Sequence, residues 1–262
     1  MRVHRRSFFQ LAGLGALSSV VPKTSHSEVG INAIVDKTSY MRRVTSALKQ
    51  QWPNNRLINI VCHGHSVPAG FFKTPVVNTF NAYPHLLHRS IKSVYPYCVS
   101  NVIVTAIGGE NSQSGAARFE SQVLCHRPDV VTIDYALNDR GIGLAAARKA
   151  WVSMIEKAKT VRGLSIILLT PTPDTAHKPD DTNEPINQHA AQIRLLAEEY
   201  EVGLVDSLAG FDLIQKETGD VSALLSQINH PNRKGHDIVA KELFSWFSDE
   251  PYQAGIDDWD VH

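Results

Sequence analysis

Five short apolar runs, rich in Val and Ile and each closed by turn residues, recur along the chain. Residues 57–62 (LINIVC) are followed by Gly64, 101–106 (NVIVTA) by Gly108-Gly109, 130–136 (VVTIDYA) by Asn138-Asp139 and 165–170 (SIILLT) by Pro171; 202–205 is a short fifth run. Continuous apolar runs of about four to eight residues suit strands covered on both faces. Between them the period changes to that of a helix. Leu144, Ala147, Trp151, Met154, Ile155 and Ala158 form one stripe. Ile186, Ala190, Ile193 and Ala197 form a second, opened by Pro185 at a favourable first helical position. Val239, Leu243 and Phe247, flanked by Ala240 and Phe244, form a third. Strands alternating with helices predict an α/β fold, a three-layer α/β/α sandwich around a mostly parallel sheet of about five strands. There is no internal repeat and no interdomain linker. Residues 171–184 follow a strand end and read as a long active-site loop. In such sheets ligands bind outside the carboxyl ends of the strands, so the chemistry is sought there.

Composition sharpens this picture. The chain has 262 residues, 43% of them hydrophobic, enough to bury one large core. Lys+Arg and Asp+Glu both number 26, and no basic cluster stands out, which argues against a nucleic-acid partner. The neutral total averages unlike parts. Residues 1–27 carry four basic residues and no acid; residues 249–262 carry five acids and no base. Arg2, Arg5 and Arg6 precede the apolar stretch 8–21, then Pro22 and a polar run, the pattern of an export signal. The segment 4–10 (HRRSFFQ) resembles a twin-arginine signal, with His4 where Ser or Thr is usual. The expected organisation is an export signal over 1–27, cleaved near Ser25 to Ser27, a single domain over 28–248, an acidic tail over 249–262, and a periplasmic or extracellular location. The alternative is an amphipathic N-terminal helix on a cytoplasmic protein. The apolar run is too short for a membrane span. Cys62, Cys98 and Cys125 are too few and too scattered for a disulfide scaffold or a Cys-based metal site. Cys62 lies in an apolar run and reads as a buried, inert thiol; a Cys98–Cys125 bridge has nothing to support it. The sequence carries no signal of oligomeric state.

Four strand-end or helix-start segments hold the candidate chemistry. After the first strand comes Gly64-His65-Ser66, a serine on a glycine-flanked turn, suited to a nucleophile if a base lies near. The bland reading makes Ser66 a helix cap. After the second comes Gly108-Gly109-Glu110-Asn111-Ser112, where paired glycines let the backbone approach a ligand. After the third comes Asn138, an amide able to donate to developing negative charge, or else to form an Asx turn or cap. Near the C-terminus comes His230-Pro231-Asn232, with Gly235-His236 following; Asn232 can cap a helix, holding His230 just before its N-terminus, where the dipole disfavours imidazolium and leaves a general base.

Together these segments resemble the SGNH, or GDSL-like, hydrolase family, over roughly residues 55–248. Gly64-His65-Ser66 stands where the family has Gly-Asp-Ser, Gly109 to Ser112 matches the second glycine turn, residues 136–139 match Gly-x-Asn-Asp, and His230 heads the histidine block. The resemblance implies a flavodoxin-like sandwich and a serine ester hydrolase without metal or organic cofactor. It implies Ser66 as nucleophile and His230 as base. It also implies an oxyanion hole of the Ser66 and Gly109 N–H groups and the Asn138 side chain. Three departures follow. Gln227 occupies the usual Asp position, three residues before His230; its carbonyl can accept the His230 Nδ1 proton but cannot stabilise imidazolium as a carboxylate does, and its amide can also flip to the wrong orientation. The consequences are a slow enzyme, a carboxylate borrowed from Asp139 or Glu110, or a dyad; Gln227→Asp is expected to raise turnover. His65 replaces an Asp, and Ala136 a Gly.

Two rivals stand beside this reading. His63 and His65, at i and i+2 after a strand, suit a metallohydrolase, but the third and fourth strand ends supply no further His ligand. A ligand-binding protein without turnover is the other, motivated by Gln227. The substrate expected is a small-molecule or glycan ester carrying short acyl groups such as acetyl; a lipase or lysophospholipase is the alternative. His85, His88, Tyr83 and the 171–184 loop are candidates to line the acyl or sugar site. In the alternative, a helix over 80–95 packs Leu86, Leu87 and Ile91 inward and leaves the two histidines solvated.

Overall fold

The computed structural model describes residues 35–254. The expected export signal lies outside the described residues, as do residues 255–262 of the acidic tail. In chain order the helices are α1 (Lys37–Leu48), α2 (Ser66–Ala69), α3 (Tyr83–Val94), α4 (Ser112–Gln122), α5 (Ala136–Asp139), α6 (Leu144–Lys159), α7 (Pro185–Glu199), α8 (Ser207–Thr218) and α9 (Arg233–Phe244). The strands are β1 (Leu57–Gly64), β2 (Val99–Val104), β3 (Val130–Asp134), β4 (Ser165–Leu169), β5 (Gly203–Val205), β6 (Leu225–Gln227) and β7 (His230–Pro231).

The five expected strands form one parallel sheet in the order β2-β1-β3-β4-β5. Strand side chains alternate between two cores, which is why the runs are apolar throughout. Ile58, Ile60, Cys62, Val130, Ile167 and Leu169 face one core with α1, α3, α8 and α9. Val61, Val131, Ile133, Ile166 and Leu168 face the other with α4, α6 and part of α7. The predicted stripes are the buried faces of α6, α7 and α9. β2 begins two residues before the expected 101, because Leu57 pairs with Val99 in register. The short β6–β7 hairpin is antiparallel and separate from the sheet. Helices α1 and α8 left little periodic signal because their buried positions are few: Met41, Val44 and Leu48 on one, Ser207, Leu208 and Phe211 on the other.

Three side questions are settled by packing. All three cysteines are free, and burial pushes the Cys62 thiol up to about 12, so it is unreactive at neutral pH. Leu86, Leu87 and Ile91 are fully buried, as the second reading of 80–95 held. Yet His85 and His88 are half-buried rather than solvated; His88 Nε2 lies 3.0 Å from Ser100 Oγ on β2, and His85 sits edge-on to Phe80.

The 171–184 loop is tied down at several points. Arg140 Nη1 donates to Asp174 Oδ2 (2.7 Å), and Thr175 N donates to Ile228 O in the β6–β7 hairpin (2.8 Å). The buried His177 ring bridges two carboxylates, with Nδ1 2.7 Å from Glu184 Oε2 and Nε2 2.7 Å from Asp212 Oδ1. Burial pulls its pKa down, but the Asp212 hydrogen bond and Glu184 outweigh it, so the net shift is upward. A raised folded pKa means the clamp's contribution is complete below the ordinary value near 6.5 and fades as pH rises through the higher folded value. His177→Gln is therefore expected to cost about 2 kcal/mol in urea unfolding at pH 6, a difference that shrinks by pH 9.

Candidate active site

Backbone hydrogen bonds carry the sheet pairing past the strands and gather the chemical segments. Ile107 N donates to Gly64 O (3.0 Å), which sets the Gly108-Gly109 turn beside His65-Ser66. His65 N donates to Asp134 O (3.2 Å), which sets α5 and Asn138 on the other side. Gly64 is required at this crossing, since a Cβ would lie 2.4 Å from Asp134 O and 2.7 Å from Pro68 Cγ. Gly109 has φ 77°, a left-handed conformation that favours glycine. Asn138 Nδ2 donates to Glu110 O (2.9 Å), fastening the second and third segments together. One amide N–H of Asn138 remains for a ligand.

Ser66 opens α2, and its cap is His65, whose Nδ1 accepts from Val67 N. Ser66 is thus not the cap. The hairpin pairs Gln227 with His230, and Asn232 caps α9 by accepting from Lys234 N and Gly235 N. His230 is held between them with Nε2 2.9 Å from Ser66 Oγ. A serine and a histidine 164 residues apart, the expected nucleophile and base, are therefore in hydrogen-bond contact.

On the other side of His230 the Gln227 amide takes the second, flipped orientation. Gln227 Oε1 accepts from Thr74 N (2.9 Å), so its amide nitrogen, not its carbonyl, faces His230 Nδ1 at 2.7 Å. Phe72 O lies 3.0 Å from the same Nδ1. An Nδ1–H tautomer donates to Phe72 O and leaves Nε2 free to take the serine proton. The opposite tautomer accepts from the Gln227 amide, donates from Nε2 to Ser66 and cannot act as base. Phe72 is in turn held by its ring, stacked on the fully buried His236 at 5.2 Å. His236 accepts from Tyr83 N (3.2 Å), and burial pushes its pKa down to about 3, so it stays neutral.

Neither of the two carboxylates considered for borrowing, Asp139 and Glu110, is bonded to His230. Asp139 accepts from Ser112 N (2.8 Å) and Trp151 Nε1 (2.7 Å) in the interior. Glu110 is paired with Arg118 and accepts from Tyr135 OH (2.8 Å). Tyr135 OH also meets His63 Nε2 (3.0 Å), while His63 Nδ1 meets Thr105 Oγ1 (2.9 Å). Burial and the Arg118 charge push His63 down to about 4. The turn after Gly64 sends His65 instead toward Asp134, so the two histidines do not converge as the metal reading required; among the described residues no cluster of three metal-ligating side chains occurs. Tyr83 is fully buried, its hydroxyl donating to Asp134 Oδ2 (3.2 Å), so it supports the site from beneath rather than lining it.

Sequence reasoning missed two contributors. The Phe72 carbonyl is a backbone group and leaves no side-chain signature. Asp134 was visible as a lone charge in an apolar strand, but it was read only as strand. A cleft of about 500 Å³ lined by Lys49, Tyr95, Tyr97 and Trp246 lies at the amino-terminal end of the sheet and holds none of these groups.

Burial lowers the His230 pKa; the Phe72 carbonyl opposes the shift and His65 adds to it. As an acceptor of the serine proton His230 must be neutral, so kcat/KM is expected to fall on the acid side with an apparent pKa below 6.5, read from a pH–rate profile.

Residues 62–238 match the family model of the GDSL-like Lipase/Acylhydrolase family. An acetylxylan esterase from Geobacillus stearothermophilus is 27% identical, over 60% of this chain and 78% of that one. A crystal structure of the acetylxylan esterase Axe2 from the same organism superposes with a TM-score of 0.65 at 23% identity, covering 74% of this chain and 95% of the other. A Parabacteroides merdae protein described as a GDSL-like lipase superposes at 0.62 and 17% identity, covering 72% and 95%. These two superpositions speak for the fold; the family match spans more than half of the chain. The chain belongs to the GDSL-like lipase/acylhydrolase family and is a carboxylic ester hydrolase.

Proposed function

We propose that the enzyme removes acetyl groups from acetylated carbohydrate, with Ser66 as nucleophile and His230 as general base. The observation that carries this reading is the 2.9 Å contact between Ser66 Oγ and His230 Nε2 at the carboxyl edge of the sheet. Ser66 Oγ bonds to the acetyl carbon as its proton passes to His230 Nε2. The carbonyl oxygen takes the negative charge and faces the Ser66 and Gly109 N–H groups and the Asn138 amide. His230 then protonates the departing sugar hydroxyl, and water repeats the sequence to release acetate. Phe72 O holds the productive tautomer in place of a carboxylate. Preorganised donors of this kind each contribute about 3 kcal/mol to the barrier.

Two features support a short acyl group. Ser66 is only 6% exposed, which leaves little room beside it for a long chain. The acetylxylan esterase likeness supports carbohydrate as the alcohol. The exposed apolar residues Val76, Val77, Ile107 and Ile228, each next to a site segment in the chain, suit the apolar face of a sugar ring. Acetate release should be measured on acetylated xylooligosaccharides and, in parallel, fatty-acid release on lysophosphatidylcholine. Release from the former is expected; activity confined to the lysophospholipid would overturn the carbohydrate assignment.

The arginines at 2, 5 and 6 with the apolar stretch 8–21 support the further proposal that the chain is exported. Periplasmic or extracellular recovery of a protein beginning near Ser25 to Ser27 is expected; full-length protein confined to the cytoplasm would overturn it.

A further inference from the structure

A second imidazole lies against the nucleophile, and the mechanism above gives it no task. His65 Nδ1 is 3.4 Å from Ser66 Oγ. Its Nε2 is 3.3 Å from Asp134 Oδ1, within ion-pair range though off the line of a good hydrogen bond. Both residues are buried, His65 at 1% exposure and Asp134 at 3%. Val67 N donates to His65 Nδ1 (3.3 Å), so this nitrogen is an acceptor and the ring proton sits on Nε2, toward the carboxylate. The order carboxylate, imidazole, hydroxyl is that of a catalytic triad. The carboxylate absent at position 227 is thus present behind a different histidine, Asp134 behind His65.

We propose that His65, backed by Asp134, is a second general base for Ser66, able to support acylation but not protonation of the leaving group. This rests on Ser66 being the nucleophile. In the step, Ser66 Oγ bonds to the electrophilic centre while its proton moves to His65 Nδ1, which releases the long Val67 N–H contact as it is protonated, and the resulting imidazolium keeps its Nε2–H facing Asp134. The leaving group then departs with its bond pair as an anion. His65 is almost fully enclosed, at 1% exposure, so it is not placed to protonate a leaving oxygen, and the route serves only good leaving groups. An alkyl ester, whose alkoxide needs a proton, depends on His230. The charged and titratable groups facing His65 are Asp134 from β3 and His230 from β7; the hydroxyl of Tyr83 on α3 bonds to the other Asp134 oxygen.

A fluorophosphonate isolates this step, because serine attack forms the O–P bond, breaks P–F and releases fluoride without a leaving-group proton. Labelling is followed by intact-mass spectrometry in wild type, Ser66→Ala, His230→Ala and His65→Asn/His230→Ala. His230→Ala is expected to label about 100-fold more slowly than wild type. Adding His65→Asn should slow it about 10- to 100-fold more. His230→Ala should meanwhile lose far more activity on an acetylated sugar than on p-nitrophenyl acetate. Equal labelling of the single and double variants overturns the proposal; Asp134→Asn/His230→Ala, expected to label more slowly than His230→Ala, decides the matter in the same way if His65→Asn does not fold. Labelling that survives Ser66→Ala overturns the nucleophile assignment as well; labelling that needs Ser66 but ignores His65 overturns only the second base.

Discussion

Ser66→Ala is expected to lower kcat for p-nitrophenyl acetate by at least about 100-fold and at most about 10⁶-fold, with no loss of folded protein. The upper figure is the loss when the nucleophile is removed from a complete serine triad. The lower one follows from the same source. Groups of a triad act as a unit, so an enzyme already lacking its carboxylate has lost about 10⁴ and has less left to lose. Where the wild type falls in this range measures how well the Phe72 carbonyl, 3.0 Å from His230 Nδ1, substitutes for an acid. Equal, slow nitrophenol release by wild type and Ser66→Ala would mean that the site binds its ligand without turning it over.

Placing a carboxylate at position 227 is expected to raise turnover, by up to about 10⁴-fold. Two effects combine. The Gln227 amide nitrogen at 2.7 Å favours the His230 tautomer that cannot serve as base, and a carboxylate removes that competitor. A carboxylate also accepts the Nδ1 proton and stabilises the imidazolium that forms as Ser66 attacks. Geometry chooses between the two acids. Gln227→Glu is isosteric, and its two oxygens fall on the positions now facing Thr74 N and His230 Nδ1. Gln227→Asp restores the usual family residue but is one methylene shorter, so the hairpin must close by about 1.5 Å to reach. The larger gain is therefore expected from Glu. The acid limb of the pH–rate profile should also move upward, since a neighbouring negative charge favours imidazolium. In either variant Ser66→Ala should still reduce the rate to the same floor, making its fold-loss larger than in wild type. No gain from either acid, with His230→Ala severely impaired, would show that Phe72 O already performs the orienting role in full.

The sheet was legible in the sequence because each central strand is buried on both faces, and such strands cannot hide among polar residues. The 57–62, 130–136 and 165–170 runs became β1, β3 and β4 for this reason. Helices α6, α7 and α9 were legible through their wide apolar stripes. Short elements with few buried positions, such as α1 and the β6–β7 hairpin, left too weak a pattern. At the site, the residues with distinctive side chains on turns, Ser66, Asn138 and His230, were visible one by one, since hydroxyl, amide and imidazole at strand ends announce chemistry.

The sequence by itself determined the layer architecture, the strand ends where chemistry belongs, and the candidates for nucleophile, base and amide donor, because these depend on periodicity and on residue type. Only the tertiary structure decided which group answers to His230 Nδ1. Thr74 N claims the Gln227 carbonyl, Asp139 and Glu110 are spent on Trp151 and Arg118, and Phe72 O fills the place left open. It also decided that Asp134 stands behind His65. Hydrogen bonding is short-ranged and directional, so partners 158 residues apart, such as His230 and Phe72, are fixed by how the loops pack and not by any local pattern in the chain.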